Sequence, residues 1–181
     1  MRFRQWSLTL AMLAAAVGWL PQPIRAQEDS KPVALVSIAP VEKVTSNTLY
    51  LLRACNVPEM GGLVQLMVNQ YTQGIDKTRP IGASVTFQGQ MPSAVLFMPM
   101  ADRTAFFGAL AGLGIEPDDL GDSLFEIDAN GQTIFAKESD GWMLVAQSEQ
   151  ALSKVPANPA DMLGTLPEKY DVGIRLNIQA L

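Results

Sequence analysis

The chain has 181 residues, of which 48% are hydrophobic, and this length suits one domain with a sizeable core. It contains no histidine, which excludes Ser-His-Asp and Cys-His catalysis and most zinc and non-haem iron sites. The formal net charge of −5 disfavours contact with phosphate backbones, so we expect no nucleic acid partner.

The first 26 residues have the pattern of a secretory signal peptide. Arg2 and Arg4 precede an apolar run at residues 8–20 that is short for a bilayer span, and Ala26 is a small residue at the cleavage position. Cleavage would remove three arginines and no acidic residue, which moves the formal net charge from −5 to −8. We therefore predict an exported protein of the periplasm or the extracellular space. An uncleaved amino-terminal anchor is the alternative.

Residues 27–32 are predicted to be a polar leader, and residues 33–181 a single domain that begins with a strand. The run Val33–Ala39 is short, apolar and rich in β-branched residues, as strands are. Apolar residues then recur at helical spacing in two stretches, one that begins after Pro40 and one that ends at Gly74. We predict two consecutive helices there, each with an apolar stripe.

Cys55 lies in the apolar stripe of the first of these helices. It is the single cysteine of the chain and cannot form an internal disulfide, so the fold depends on its core. We interpret Cys55 as a small buried hydrophobe rather than a reactive thiol.

A strand pair and a third helix follow. Residues 81–88 and 93–99 have the composition of strands. Asp102 is a suitable N-cap for a helix over residues 103–113. Residues 115–123 are then predicted to be an acidic loop.

Residues 124–147 have the pattern of three strands joined by two tight turns. Asn130-Gly131 and Asp140-Gly141 tolerate the positive φ angles that two-residue turns require. The predicted partners are Ala129 with Gln132, Ile127 with Ile134, Phe125 with Ala136, Ala136 with Val145 and Glu138 with Met143. One face then becomes apolar, and it consists of Phe125, Ile127, Ile134, Ala136, Met143 and Val145. We expect helices to cover that face.

After short helical segments, a last strand is predicted over residues 170–178. The element order β-α-α-β-β-α-β-β-β-α-β predicts an α+β domain, with a mostly antiparallel sheet and helices packed on one face. The last strand resembles Val33–Ala39 in its apolar pattern. We therefore hypothesise that the domain is one lobe of a longer, two-lobed architecture. A well-packed final strand with no bare apolar edge would count against this hypothesis.

Four acidic residues before residue 124 are a candidate cation site with oxygen ligands. They are Glu116, Asp118, Asp119 and Asp122. Their spacing matches no Ca²⁺ loop, so we interpret the segment as a solvated acidic loop and predict neither a metal nor a cofactor.

Two further patterns carry chemistry in other proteins. Glu126 and Asp128 on one strand could form a glycosidase pair, but no aromatic sugar platform surrounds them. Met98 and Met100 could bind Cu(I), but no histidine or nearby cysteine completes the site. We interpret the first as a solvated strand surface and the second as core packing, and we predict no catalytic residue.

Several short segments together resemble a group of signal-peptide-bearing exported proteins of planctomycete-type bacteria. The segments are Pro32-Val33-Ala34-Leu35-Val36-Ser37, Asp76-Lys77 with Pro80 and Gly82, Gly131-Gln132-Thr133 with Lys137, and Asp140-Gly141-Trp142 with Ala146-Gln147-Ser148. Members of this group are often longer than the present chain. The resemblance implies export and no particular activity.

The second face of residues 124–147 is mixed and supplies the predicted interaction face. This face consists of Leu124, Glu126, Phe135, Lys137 and Leu144. A half-apolar exposed sheet face suits a protein contact. We predict an exported, non-catalytic binding or assembly module of the periplasm or cell envelope. Its partner would be a protein, a second lobe or another copy of the chain, with no stable membrane span after signal cleavage.

One alternative is a hydrolase or ligand-binding protein that uses acidic residues and a divalent cation. A purely structural role is a third hypothesis.

Overall fold

A computed structural model describes residues 32–88, 91–129 and 131–180, so the predicted signal peptide at residues 1–26 lies outside the described residues. The strands are β1 (Ala34–Ile38), β2 (Ile81–Gln88), β3 (Met91–Pro99), β4 (Pro117–Gly121), β5 (Leu124–Ala129), β6 (Gln132–Ser139), β7 (Trp142–Ala146) and β8 (Val172–Leu176). The helices are α1 (Val41–Ala54), α2 (Met60–Tyr71), α3 (Arg103–Ala111), α4 (Glu149–Leu152), α5 (Ala160–Leu163) and α6 (Leu166–Lys169), and a 3₁₀ turn covers Ile178–Ala180.

The eight strands form one antiparallel sheet in the order β4-β5-β6-β7-β3-β2-β1-β8. The α+β class and the antiparallel sheet predicted from the sequence are confirmed. Sequential hairpins build the half of the sheet from β4 to β7. β8 returns after three short helices to pair with β1, so the first and last strands of the domain are neighbours.

The register predicted for β5, β6 and β7 is confirmed at every predicted pair. Asp140 and Gly141 have φ angles of 51° and 72°, and Gly131 has a φ angle of 79°, as two-residue turns require. Asn130, the other residue of the first turn, lies outside the described residues. The turn chemistry therefore set the strand pairing.

Helix α3 covers the apolar face that the register predicts. Phe106, Phe107 and Leu110 of α3 pack against a cluster of buried side chains on that face, which we call the first face. The cluster contains Met100, Phe125, Ile127, Ala136 and Met143. Asp102 caps α3 as predicted, since its carboxylate accepts a hydrogen bond from the backbone N–H of Ala105 at 3.0 Å.

Helices also cover the other side of the sheet, the second face, and this differs from the prediction of helices on one face. Leu152 of α4 and Leu163 of α5 are buried in a cluster with side chains from β3 and β7. The members from the sheet are Val95, Phe97, Trp142, Leu144 and Ala146. The segment after β7 crosses the sheet on its way to β8, and its short helices carry leucines at the positions that face the strands.

The prediction of an acidic loop at residues 115–123 is wrong, because five of these residues form β4, which pairs with β5. The connection uses Asp122 and Ser123 with φ angles of 50° and 59°, which is the geometry of a two-residue hairpin turn. Gly121 has a φ angle of 89° beside an irregularity in the β4–β5 register. The turn has Ser123 instead of the usual glycine at its second position, so no sequence signal indicated a hairpin here.

The apolar stripes of α1 and α2 are less buried than expected. No residue of either helix is fully buried, although the two helices pack against each other. Cys55, at the carboxyl end of α1, is exposed, so its interpretation as a buried hydrophobe is wrong. The helix ends one residue earlier, and Cys55 follows its last turn.

Candidate interaction surface

The predicted interaction face lies on the second face of the sheet, and most of its apolar part is covered. Leu144 is 5% exposed and belongs to the core cluster beneath α4, so its prediction as a contact residue is wrong. Leu124 and Phe135 are partly buried against the same cluster. Lys137 is exposed and Glu126 is half-buried. The structure thus brings these five residues to one face, where Leu144 is buried and Leu124 and Phe135 are only partly exposed.

A different apolar surface is exposed at the last strand. Val172, Ile174 and Leu176 of β8 are 62%, 65% and 66% exposed. They stand on the first face, because the pairs Ile174–Val36, Val36–Ala83, Ala83–Leu96 and Leu96–Val145 lead across the sheet to Val145, which lies on that face. We call these three side chains the edge patch. The sequence signal for it was the alternation of apolar residues in the last strand.

The backbone of β8 is also available along its outer side. The carbonyl of Asp171 accepts a hydrogen bond from Ala39, and the amide of Asn177 donates to Val33, so odd-numbered residues point toward β1. In an antiparallel strand the backbone groups alternate in direction. The N–H and C=O groups of the edge patch therefore point away from β1, where the described residues supply no further strand.

The opposite edge of the sheet is protected against strand pairing. There β4 begins with Pro117, which has no N–H, and continues with Asp118 and Asp119, which are exposed. Its register with β5 is irregular between Asp119 and Gly121. Proline, charge and a bulge are the usual means by which proteins block edge-to-edge association. β8 has none of these features within Val172–Leu176 except the charge of Arg175.

Arg175 does not shield the edge patch. Its side chain lies on the second face, because residue 175 alternates with the edge patch. There its guanidinium donates a hydrogen bond to the carbonyl of Met162. The guanidinium of Arg175 therefore lies near α5, on the face of the sheet opposite the apolar side chains of β8.

Helix α1 lies next to the start of β8. Lys43 donates hydrogen bonds to the carbonyls of Pro167 and Glu168 at 3.0 and 2.8 Å, and Asn47 donates to the carboxylate of Asp171 at 2.8 Å. The residues one turn beyond Asn47 on the same side of the helix are Tyr50 and Leu51, which are 69% and 59% exposed. These hydrogen bonds hold α1 beside the segment that leads into β8.

The four acidic metal candidates do not form a cluster. Asp118 and Asp119 are neighbours on β4, so their side chains point to opposite faces of the sheet. Asp119 accepts a hydrogen bond from the backbone N–H of Gly121 at 2.8 Å. Across residues 32–88, 91–129 and 131–180, no group of three or more Cys, Asp or Glu side chains is placed to hold a metal ion. Glu116 and Asp122 are both exposed.

The other chemical candidates have ordinary structural surroundings. Met98 and Met100 pack in or against the cluster of the first face. Asp128 accepts a hydrogen bond from the hydroxyl of Thr133 across the β5–β6 pair at 2.9 Å. These contacts fit the interpretations of core packing and solvated strand surface.

One carboxyl group has a clearly shifted titration. Hydrogen bonds from the hydroxyl and the backbone N–H of Thr78, at 2.6 and 3.0 Å, hold the pKa of Asp76 below its ordinary range, with a further contribution from Arg79. Asp76 also forms an ion pair with Arg79 at 3.1 Å. The group stabilises the connector between α2 and β2, and this explains its shift without a catalytic role.

In the part of the chain that the structure describes, the helices are all too short or too polar to cross a membrane.

No protein-family model matches this chain, and neither a curated protein nor a solved structure matches it.

Proposed function

We propose that this chain is an exported, non-catalytic assembly module that contacts a protein partner through β8. The observation that carries the proposal is the coincidence, on one strand, of exposed apolar side chains and outward-pointing backbone groups. A strand edge with both features is a template for pairing with another chain. The other edge of the sheet, at β4, is blocked.

Export is supported by the amino-terminal pattern of Arg2 and Arg4 followed by an apolar run and Ala26. A compartment outside the cytoplasm offers envelope proteins as partners. The acidic charge of the remaining chain favours proteins over nucleic acid or anionic lipid.

Capture from envelope extract tests the proposal. Three immobilised proteins are compared: the wild-type chain, Ile174→Lys on β8, and Leu120→Lys as the matched control on β4, where Leu120 is 50% exposed. We expect the wild type and the Leu120 variant to retain the same protein, and the Ile174 variant to lose it. Equal retention by all three would contradict the role of β8.

Metal content, measured on the same wild-type preparation, separates this proposal from the hydrolase alternative. A stoichiometric divalent cation would favour the alternative, because a binding strand has no need of one. In that case Glu116→Gln and Asp122→Asn would be the first substitutions to test for loss of the cation.

A further inference from the structure

We propose that the partner of β8 is β8 of a second copy of this chain, paired antiparallel about a two-fold axis at Ile174. This inference rests on the proposed function and names its partner. The resulting dimer has one continuous sheet of sixteen strands, because each copy contributes the eight strands of its own sheet. Two-fold dimers that share one self-complementary surface are the commonest oligomers.

The sequence of β8 satisfies the symmetry of such a pairing. With Ile174 opposite its own copy, Val172 stands opposite Leu176 of the second copy, and Leu176 opposite Val172. All three pairs are apolar and stand on the same face, so the two edge patches merge into one. Apolar side chains directly opposite each other on an antiparallel ladder stabilise the pairing of the two strands.

The backbone direction is compatible with this register. The outward-pointing N–H and C=O groups belong to Val172, Ile174 and Leu176. In the two-fold arrangement these residues face each other as hydrogen-bonded pairs. A shift of one residue would place outward-pointing groups opposite inward-pointing ones, so only registers that pair even-numbered residues with one another are possible. Among these, the register centred on Ile174 pairs all three side chains of the edge patch.

The charges near β8 also permit the contact, although the chain as a whole is acidic. In this register Arg175 stands opposite Gly173 of the second copy, and Asp171 stands opposite Asn177. Like charges directly opposite each other would destabilise the pairing, and this register contains no such pair. The protection of the other edge, at β4, leaves β8 as the edge at which two copies can join.

Area sets a further condition. A stable protein interface buries about 800 Å² on each partner, which three side chains do not supply. Ile178, which is 78% exposed, follows the edge patch in the chain and extends it. We therefore expect Ile178 to become buried in the dimer together with the edge patch.

Disulfide trapping tests the register directly. In a Cys55→Ser background, Ile174→Cys places two thiols across the axis at a Cα separation of about 5.5 Å, which a disulfide can span. We expect a covalent dimer of the exported protein under mild oxidation. Leu120→Cys in the same background is the control and should stay monomeric.

Sedimentation over a concentration series is the second measurement. The wild-type chain should sediment as a dimer and the Ile174→Lys variant as a monomer. The melting temperatures of the two proteins, extrapolated to low concentration, should be equal, because residue 174 is exposed in the single chain. A monomeric wild type, together with equal trapping of the Ile174 and Leu120 variants, would overturn the self-pairing.

The envelope capture experiment then separates the two proposals. If the wild type is monomeric and captures a different protein in a manner that depends on Ile174, the self-pairing is wrong and the assembly function stands. If the wild type is monomeric and capture does not depend on Ile174, the self-pairing and the assembly function through β8 are both wrong.

Discussion

The aromatic ring of Phe97 fills the space in which Gly82 would otherwise carry a side chain. The two residues are directly opposite each other on β2 and β3, and a Cβ atom at position 82 would lie 2.3 Å from Cε2 of Phe97. The same added Cβ atom would lie 2.9 Å from Cδ2 of Leu163 in α5. Since Phe97 and Leu163 are fully buried, neither has room to move away.

We therefore expect Gly82→Ala to destabilise the fold by about 1–3 kcal/mol through overpacking. Chemical denaturation followed by circular dichroism measures this change. Gly108→Ala is the matched control, because nothing lies within 4 Å of its added Cβ in the middle of α3. That variant should be more stable than the wild type by roughly 0.5–1 kcal/mol. Equal effects at the two positions would refute the close-contact explanation.

The guanidinium of Arg79 lies over the ring of Trp142, with Cζ 4.5 Å from the ring centroid. The same side chain donates to the carbonyl of Gly141 and pairs with Asp76. We expect Arg79→Ala to cost about 1–2 kcal/mol, because it removes a cation–π contact to a nearly buried indole together with these hydrogen bonds.

Arg103→Ala is the comparison for this prediction. Arg103 is 5.7 Å from the Phe125 ring centroid and pairs with Glu138 while its side chain is 48% exposed. The expected loss is about 0–1 kcal/mol, since exposed ion pairs contribute little. A larger loss for Arg103 than for Arg79 in urea denaturation would reverse the ranking and disprove it.

The lowered pKa of Asp76 predicts a pH-dependent contribution to stability. A carboxyl with a depressed pKa in the folded state stabilises the fold above its unfolded pKa of about 4. That stability is lost as the pH falls through the lower, folded pKa. Thr78→Val removes the hydroxyl that contributes most to the shift.

We expect Thr78→Val to raise the pKa of Asp76, as read from its carboxyl carbon by NMR. The variant should lose about 1 kcal/mol of unfolding free energy at neutral pH, and less below the folded pKa, where the carboxyl is protonated. Asp76→Asn serves as the control that cannot titrate. A loss in Thr78→Val that is the same at every pH would show that the hydrogen bond does not depend on the charge.

Two leucines distinguish core from contact surface. Leu144→Ala should destabilise the fold by about 2–5 kcal/mol, because Leu144 lies in the core cluster of the second face. Leu176→Ala should change the stability of the single chain by less than about 0.5 kcal/mol, since Leu176 is 66% exposed. The second variant should instead weaken the association of the chain. Thermal melts at several concentrations check both statements, and a strongly destabilised Leu176 variant at low concentration would contradict the second.

The sequence predicted the parts of the fold where local chemistry decides the structure. The glycine turns at residues 131 and 141 determined the register, and Asp102 determined where α3 begins. The period-2 pattern of the last strand indicated that its apolar side chains share one face. In each case the signal lies within a few residues of its effect.

The remaining features depend on segments that are distant in sequence. Leu144 looked available because nothing in β7 reveals that α4 and α5 fold back over it. β4 was missed because Asp122 and Ser123 adopt positive φ angles without the usual glycine. Cys55 follows the apolar stripe of α1, but the neighbouring elements leave it exposed.

Amide hydrogen exchange along β8, compared between dilute and concentrated wild-type protein, is the most direct test that this strand is the contact surface. The amides of Val172, Ile174 and Leu176 point away from β1, so they should exchange rapidly in dilute protein. We predict that they become protected at high concentration, while the amides of Gly173 and Arg175, which point toward β1, change little. If the outward amides exchange equally fast at every concentration and with envelope extract added, β8 is not the contact surface and the assembly account is wrong.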